Sequence, residues 1–227
     1  STSRPCRSPP RLVLVRMSAP ARPWRADLDG LRALAVGAVL LHHVAPAAWP
    51  GGFAGVDVFF VLSGFLITGH LAHECDAGRF TWAGFLHRRA RRLLPALVVV
   101  LAATVALGAA TFTAPEFVTF ARQLVAAGLS AANLLFRRDV GYFDAAADTK
   151  PLLHLWSLGV EEQFYLAWPA AMLLLARVPR VRTALVGVAL VASAAIALHL
   201  GPRDPAAAFY LLHARAWELL AGGALAL

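Results

Sequence analysis

The chain has 227 residues, of which 59% are hydrophobic and 15% charged, and its mean hydropathy is +0.64. A soluble domain of this length is usually about half apolar and a quarter charged, so the composition indicates a membrane protein. The formal charge of +8 would suit nucleic acid, but the arginines lie between apolar runs, as in the cytoplasmic loops of membrane proteins. We therefore expect no nucleic-acid partner. Cys6 and Cys75 give no disulfide framework and no metal-ligand spacing, so no metal site is expected.

The two ends of the sequence differ in character. Residues 1–26 form a basic segment rich in Pro, Arg and Ser, which we expect to be disordered because it cannot bury a core. Met17 offers an alternative start, which makes residues 1–16 a candidate non-native extension. The final letters, ELLAGGALAL, contain no capping residue and no charged stop. They predict a chain that is truncated within a helix.

Apolar runs of about 18–22 residues, long enough to cross the hydrocarbon core, recur along the chain. They predict an all-α, polytopic transmembrane helical bundle with about six spans. The runs cover residues 28–47, 53–72, 93–112, 155–176, 183–200 and a last stretch from about 208.

The basic residues between these runs predict the orientation. Arg22, Arg25 and Arg32 place the N-terminus in the cytoplasm, and the arginines of the loop ending at residue 92 lie on the same side. The segment 116–136 has two readings. If it spans, the arginines of residues 177–182 fall outside, against the rule. If it re-enters or lies in the interface, they fall inside, and we favour this reading for a multi-pass protein of the inner (plasma) membrane.

Arg32 and His43 form the first candidate functional pair. Eleven steps of 100° place them on one helical face, about 16 Å apart along the axis. Arg32 would bind an anionic cofactor entering from the cytoplasm, and His43 would act as a general base. Alternatively, Arg32 snorkels to lipid head groups and His43 bonds a neighbouring helix. His42 points about 100° away and is interpreted as a packing residue.

Carboxylates and a second histidine lie in two other runs. Asp57 is one turn inside the second run and is either a solvated end residue or a group that orients a histidine. Glu161 and Glu162 are adjacent, so on a helix they face different ways and one can point into a cavity. His154 lies seven residues before Glu161, on a similar face. Ionisable groups at membrane depth are costly, which favours a functional role.

The run FLHRRARRLLPAL carries four arginines within five residues, at positions 88, 89, 91 and 92, and Pro95 falls where the next span is predicted to begin. Such a cluster ordinarily binds anionic lipid at the inner surface. It would equally suit the phosphates of a nucleotide-like donor, because arginine offers bidentate contacts. Arg89 and Arg92 are therefore candidate cofactor-binding residues.

Two further patterns predict helix packing rather than chemistry. The small residues Gly52, Gly55, Ser63 and Gly64 permit two helices to approach closely. Arg215 and Glu218 are three residues apart and can simply pair with each other.

Five blocks, in order, resemble the acyltransferase-3 family of bacterial membrane O-acyltransferases and cover residues 27–227. They are LDGLRALAV with a later His, GGFAGVDVFFVLSGFLIT, FLHRRARRLLPAL, PLLHLWSLGVEEQFYLAWP and RAWELLAGG. The family's pattern of Arg, ten residues and His falls on Arg32 and His43. Its aspartate in GVD-FF falls on Asp57, and its glutamate in WSL-x-x-E falls on Glu161.

The resemblance implies a ten-helix protein that takes an acyl group, expected to be acetyl, from cytoplasmic acyl-CoA. The acceptor would be a hydroxyl of an envelope polysaccharide or lipid-linked sugar. Residues 27–227 would then be a partial acyltransferase-3 transmembrane domain. Family members with PLLHLWSL and EEQFY often carry a C-terminal extracytoplasmic SGNH-type domain, which becomes an expected part of the full-length protein.

The resemblance also implies roles for the matched residues. Arg32, with Arg89 and Arg92, would bind the phosphates of CoA. His43 would deprotonate the acceptor hydroxyl or carry the acyl group, with Asp57 or Glu161 orienting it.

A second function class remains open from the sequence, namely a proton-coupled transporter or flippase of a lipid-linked sugar. Its intramembrane His and Glu residues would form a proton relay. Consumption of acyl-CoA separates the two classes, because only an enzyme releases free CoA.

Overall fold

The computed structural model describes residues 25–139 and 150–227, so the predicted disorder of residues 1–26 lies almost wholly outside the described residues. Within these ranges the chain is helical and contains no strand. Short 3-10 turns occur at Gly52–Ala54 and Leu153–Leu155. The helices are α1 (Ala26–Val44), α2 (Gly55–Asp76), α3 (Trp82–Thr111), α4 (Ala114–Gly128), α5 (Ala132–Arg138), α6 (Trp156–Leu175), α7 (Arg182–Leu200), α8 (Pro205–Tyr210) and α9 (Leu212–Ala226).

Three of the helical segments in the described ranges are long and apolar enough to cross a membrane. They are Gly52–Asp76, Trp82–Thr111 and Arg182–Leu200. α1 and α6 have similar lengths but carry the ionisable side chains noted above, and α9 has 15 residues. The all-helical prediction is confirmed, whereas membrane-competent composition is found at three of the six predicted runs.

Contacts between named pairs fix the relative direction of α2 and α6. The ring centroids of Phe60 on α2 and Trp156 on α6 are 6.1 Å apart. About two turns further along α2 and three turns further along α6, Trp168 Nε1 donates a hydrogen bond of 2.8 Å to Thr68 Oγ1. The two helices therefore run parallel, and their buried aromatic rings form the centre of the main core.

α9 also runs parallel to α2, because Arg215 near its start bonds Asp57 and Ala226 at its end lies beside Gly69. Glycines bring the two backbones into contact. A Cβ on Gly64 would overlap the carbonyl oxygen of Leu219, and a Cβ on Gly222 would overlap that of Val61. Gly55 lies in the same way against the backbone of α1. The predicted close approach is confirmed at Gly55 and Gly64, because no larger residue fits there.

α1, α3 and α7 run in the opposite direction to α2. The six long helices are α1, α2, α3, α6, α7 and α9, and their directions alternate along the chain. Arg88 near the start of α3 donates to Glu74 near the end of α2, at 2.8 Å. Arg182 at the start of α7 donates to Asp76 in the last turn of α2, at 2.9 Å. The starts of α1, α3 and α7 thus lie at one end of the bundle, which we call the basic end.

The start of α3 corrects the prediction that the arginines of residues 88–92 occupy a loop. The helix begins at Trp82, where the Thr81 side chain caps it by accepting from the Gly84 backbone N–H at 3.3 Å. Phe85 is buried in the core and fixes this first turn. Pro95 lies inside the helix rather than at its beginning. The arginines therefore project from a helix, at defined angles.

Residues 114–138 form two short helices rather than one span. α4 packs back along α3, where the rings of Phe112 and Phe120 are 5.4 Å apart and Leu101 joins the same small core. The turn that follows α4 contains Ser130, which has a left-handed φ of 54°. The next backbone N–H, that of Ala131, bonds the carbonyl of residue 126 at 2.8 Å, so the turn is closed by a Schellman-type contact.

The turn between α4 and α5 contacts the second turn of α6. Gln163 Nε2 donates to Asn133 Oδ1 at 2.8 Å, and Asn133 Nδ2 donates to the Tyr210 carbonyl at 3.0 Å. α5 then returns, and Arg137 donates to Asp204 at 2.6 Å in the link after α7. Residues 114–138 therefore form a helical hairpin that begins and ends at the end of the bundle opposite the basic end.

Candidate functional site

A cavity of about 340 Å³ lies between α1, α2, α3 and α6, towards the basic end. Its polar lining consists of three arginines, one carboxylate and two hydroxyls. These residues are Arg32, Arg89, Arg92, Glu161, Ser63 and Tyr165. Apolar side chains complete the wall: Phe59, Leu66, Ile67, Leu93 and Leu158. The structure thus brings together four of the sequence-predicted site residues, which come from three different helices.

The arginines of the cavity carry unsatisfied donors. The Nε atoms of Arg32 and Arg89 are buried and have no hydrogen-bond partner among the described residues. A buried donor without an acceptor costs about 1–3 kcal/mol, more for a charged group. An anionic ligand in the cavity would supply the missing acceptors, and the excess of positive charge would attract it.

The two adjacent glutamates of α6 have different surroundings. Glu161 lines the cavity and accepts a hydrogen bond from Tyr165 Oη at 2.5 Å. Glu162 forms an ion pair with Arg89 instead. The prediction that the two carboxylates face different ways, with one in a cavity, is confirmed. Ser63, predicted only as a packing residue, is buried and also contributes to the cavity wall.

His43 lies in the last turn of α1, away from the cavity lining. Its Nδ1 is 2.8 Å from the Val39 carbonyl oxygen, which can only accept, so Nδ1 carries the proton. In a neutral imidazole this leaves Nε2 as the atom that can take up a proton. His42 Nδ1 lies 3.1 Å from the Trp49 carbonyl oxygen, and its ring packs edge-on to Phe53. His42 is thus a packing residue, as predicted.

His154 lies in the 3-10 turn that precedes α6. Burial lowers the pKa of His154, a backbone hydrogen bond at Pro151 opposes this, and the positive charge of His43 lowers the pKa further. Sequence reasoning grouped His154 with Glu161 on the helical period, but His154 precedes the helix and that period does not apply to it.

Asp57 has a different partner from the one predicted. It accepts a hydrogen bond of 3.0 Å from Arg215 Nη1, rather than contacting His43. The same nitrogen of Arg215 donates to Glu218 Oε1 at 2.6 Å, which confirms the predicted pairing of Arg215 with Glu218. Glu218 is 0% exposed, and its Oε2 has no partner among the described residues. The guanidinium of Arg215 therefore forms ion pairs with two carboxylates, those of Asp57 and Glu218.

Within residues 25–139 and 150–227, no three His, Cys, Asp or Glu side chains are grouped so that they could hold a metal ion. The cavity lining itself offers guanidinium groups, one carboxylate and two hydroxyls.

Comparison with known proteins identifies the family to which the chain belongs. The family model described as "Acyltransferase domain" matches residues 25–227. The peptidoglycan O-acetyltransferase OatA of Listeria monocytogenes is 38% identical over 214 residues, which cover 91% of this chain and 34% of that protein. The putative peptidoglycan O-acetyltransferase YrhL of Bacillus subtilis is 37% identical over 216 residues, covering 88% of this chain and 32% of that protein.

A third relative, the putative O-acetyltransferase SACOL0978 of Staphylococcus aureus, is 40% identical over 152 residues, covering 65% of this chain and 24% of that protein. No solved structure matches the chain. The chain spans about a third of the length of the Listeria and Bacillus relatives. Because the family model matches nearly all of the described residues, the chain belongs to the acyltransferase-3 family, the family that the five sequence blocks predict.

Proposed function

We propose that the chain is part of an integral membrane O-acyltransferase. It moves an acyl group, with acetyl as the simplest case, from cytoplasmic acyl-CoA to a hydroxyl of an envelope polysaccharide or lipid-linked glycan. The observation that carries the proposal is the cavity at the basic end. There, three arginines converge, and two buried guanidinium nitrogens lack acceptors within the described part of the chain.

The proposed topology uses all six long helices as spans of the plasma membrane, with the N-terminus in the cytoplasm. Three helices have the required length and apolarity. The arginines at the starts of α3 and α7 lie at the same end, as expected for the cytoplasmic face. In this arrangement the hairpin of residues 114–138 re-enters from the outer face, where its polar turn is covered by α6 rather than by lipid.

In the donor step, Arg32, Arg89 and Arg92 bind the phosphates of acyl-CoA. Arg32 and His43 lie on one face of α1, about 16 Å apart along its axis, so the thioester arm runs along that face towards His43. His43 Nε2 takes the proton of the acceptor hydroxyl while the hydroxyl oxygen attacks the thioester carbonyl carbon. The C–S bond breaks, and the protonated His43 gives its proton to the departing CoA thiolate, so that CoA leaves as the free thiol and His43 returns to its neutral form.

Glu161 and Asp57 take supporting roles in this mechanism. Glu161 holds Tyr165 in the cavity wall and places negative charge where the positively charged arginines converge. Asp57 acts through Arg215, and so shapes the outer part of the site rather than touching His43. The acceptor is proposed to be a glycan because the Listeria and Bacillus relatives are named for peptidoglycan. A C-terminal SGNH-type domain in the full-length protein completes the proposal.

The test uses membranes from cells that express the complete gene. Membranes are incubated with radiolabelled acetyl-CoA, and the label is followed into envelope polysaccharide. His43→Ala should abolish transfer, whereas His42→Ala, at the neighbouring packing residue, should retain most of it. Transfer that persists in His43→Ala would move the base elsewhere. If no acyl-CoA supports transfer by the wild-type protein, the transporter or flippase alternative replaces the enzyme.

A further inference from the structure

Arg89 is held more tightly than an ordinary ligand-binding arginine. Its Nη2 forms an ion pair with Glu162, and its guanidinium carbon lies 3.6 Å from the centroid of the Tyr165 ring. Both partners come from adjacent turns of α6, whereas Arg89 comes from α3. The planar group is therefore fixed at one edge by a carboxylate and on one face by an aromatic ring.

These two contacts leave a defined part of the guanidinium for a ligand. The Nε of Arg89 is buried, has no acceptor among the described residues and belongs to a side chain that lines the cavity. A guanidinium binds a phosphate with two parallel hydrogen bonds only when its plane is correctly oriented. Holding the plane in advance removes the entropy cost of ordering the side chain when the ligand binds.

Glu162 itself is not part of the cavity lining, which includes Glu161 instead. Its contact is with Arg89, and its charge offsets that of one of three arginines that would otherwise repel each other. Tyr165 contacts both parts of this arrangement. Its ring covers Arg89, the partner of Glu162, and its hydroxyl donates to Glu161 at 2.5 Å. The neighbouring carboxylates thus have separate tasks.

We propose that Glu162 is a positioning residue that, together with the Tyr165 ring, orients Arg89 towards the phosphate-bearing end of the acyl donor. The inference rests on the proposed function, since it assigns a further residue to the donor site. Glu162 does not touch the reacting atoms. Its loss should therefore weaken recognition of phosphate and leave the acyl-transfer step intact.

The test compares two donors that share a thioester. Acetyl-CoA carries phosphates, and S-acetylpantetheine does not. Glu162→Gln should raise KM for acetyl-CoA about tenfold, the scale of one charge-assisted contact, and change kcat by less than about twofold. KM for S-acetylpantetheine should not change. Glu162→Asp, which keeps the charge, should restore part of the affinity for acetyl-CoA.

Glu74→Gln is the matched control. Glu74 pairs with Arg88, the residue before Arg89, but neither of them lines the cavity. This variant should leave KM for both donors unchanged. A KM increase of equal size for both donors in Glu162→Gln, or a fall in kcat alone, would overturn the positioning role.

A binding measurement keeps the inference separate from the proposed function. CoA alone, without an acyl group, is titrated onto the purified full-length protein. We expect Glu162→Gln to weaken binding of CoA about tenfold relative to wild type. Equal binding by both proteins contradicts the role of Glu162 alone, whereas no binding by the wild type contradicts the proposed donor. If Glu162→Gln does not fold, Arg89→Lys keeps the charge without the planar fork, and the same donor-selective loss is expected.

Discussion

Asp57 on α2 and Arg215 on α9 are joined by a hydrogen bond of 3.0 Å, although 158 residues separate them in the chain. Arg215 also lies over the rings of Phe209 and Trp156, at 4.9 and 5.5 Å from their centroids. The guanidinium therefore connects α9 to three other helices, α2, α6 and α8, through charge and aromatic contacts. Asp57 and Glu218 depend on the same cation, so their effects on the protein should be coupled.

Replacing Arg215 by Met tests this dependence. The change leaves two carboxylates without their cation, one of them fully buried, and removal of one partner from a buried ion pair costs about 3–5 kcal/mol. Thermal or chemical unfolding in detergent should show this loss. Replacing all three residues by apolar ones should recover much of the stability, and a single Arg215→Met variant as stable as wild type would contradict the coupling.

The backbone contact between α2 and α9 gives a second prediction. Gly64→Ala should destabilise the protein by about 1–3 kcal/mol, because the new methyl group would overlap the Leu219 carbonyl and force the helices apart. Gly69→Ala, on the same helix, is the control, since its Cβ would lie 3.8 Å from that of Ala226, an ordinary contact distance. Unfolding midpoints of the two variants should differ clearly, and equal midpoints would argue against close packing at Gly64.

The pair of amide side chains that anchors the hairpin, Asn133 and Gln163, gives a third prediction. Asn133 is 0% exposed, and Asn133→Leu removes the nearer partner of the Gln163 amide, which keeps a longer bond of 3.4 Å to the Ser130 carbonyl; the expected cost is about 1–3 kcal/mol. Gln163→Leu should cost a similar amount. In a double-mutant cycle, we expect a coupling energy of about 0.5–3 kcal/mol between the two residues, measured by unfolding. Simple additivity would show that the hairpin is held by other contacts.

The orientation can be checked with a cysteine that the chain already contains. Cys75 lies near the end of α2 at the basic end, and Trp49 lies in the exposed link at the opposite end. In a Cys6→Ser background, a membrane-impermeant maleimide added to intact cells should label Trp49→Cys. Native Cys75 should react only after permeabilisation. Labelling of Cys75 in intact cells would reverse the proposed topology.

Residue relationships within one helix could be predicted from the sequence, because the helical period fixes them. The different directions of Glu161 and Glu162, and the pairing of Arg215 with Glu218, follow from spacing alone. The start of α3 could not be placed, because Pro95 looked like a helix beginning whereas the chain is already helical from Trp82.

Partners on different helices were beyond the sequence. The pairing of Asp57 with Arg215, and of Arg89 with Glu162, depends on how two helices are rotated and in what register they pack. Hydrophobic periodicity gives the buried face of each helix but not the register between two helices. Small residues such as Gly64 indicate where backbones touch, yet they do not name the facing residue.

The hairpin of residues 114–138 determines the direction in which every later helix runs. Because it returns to the end from which it started, α6 begins where α3 finishes and runs beside α2 in the same direction. A complete crossing at this point would invert α6 and every helix after it. Trp156 could then no longer meet Phe60 while Trp168 meets Thr68. The depth at which Glu161 and Glu162 face the arginines of α3 is thus decided by a segment that contributes no side chain to the cavity.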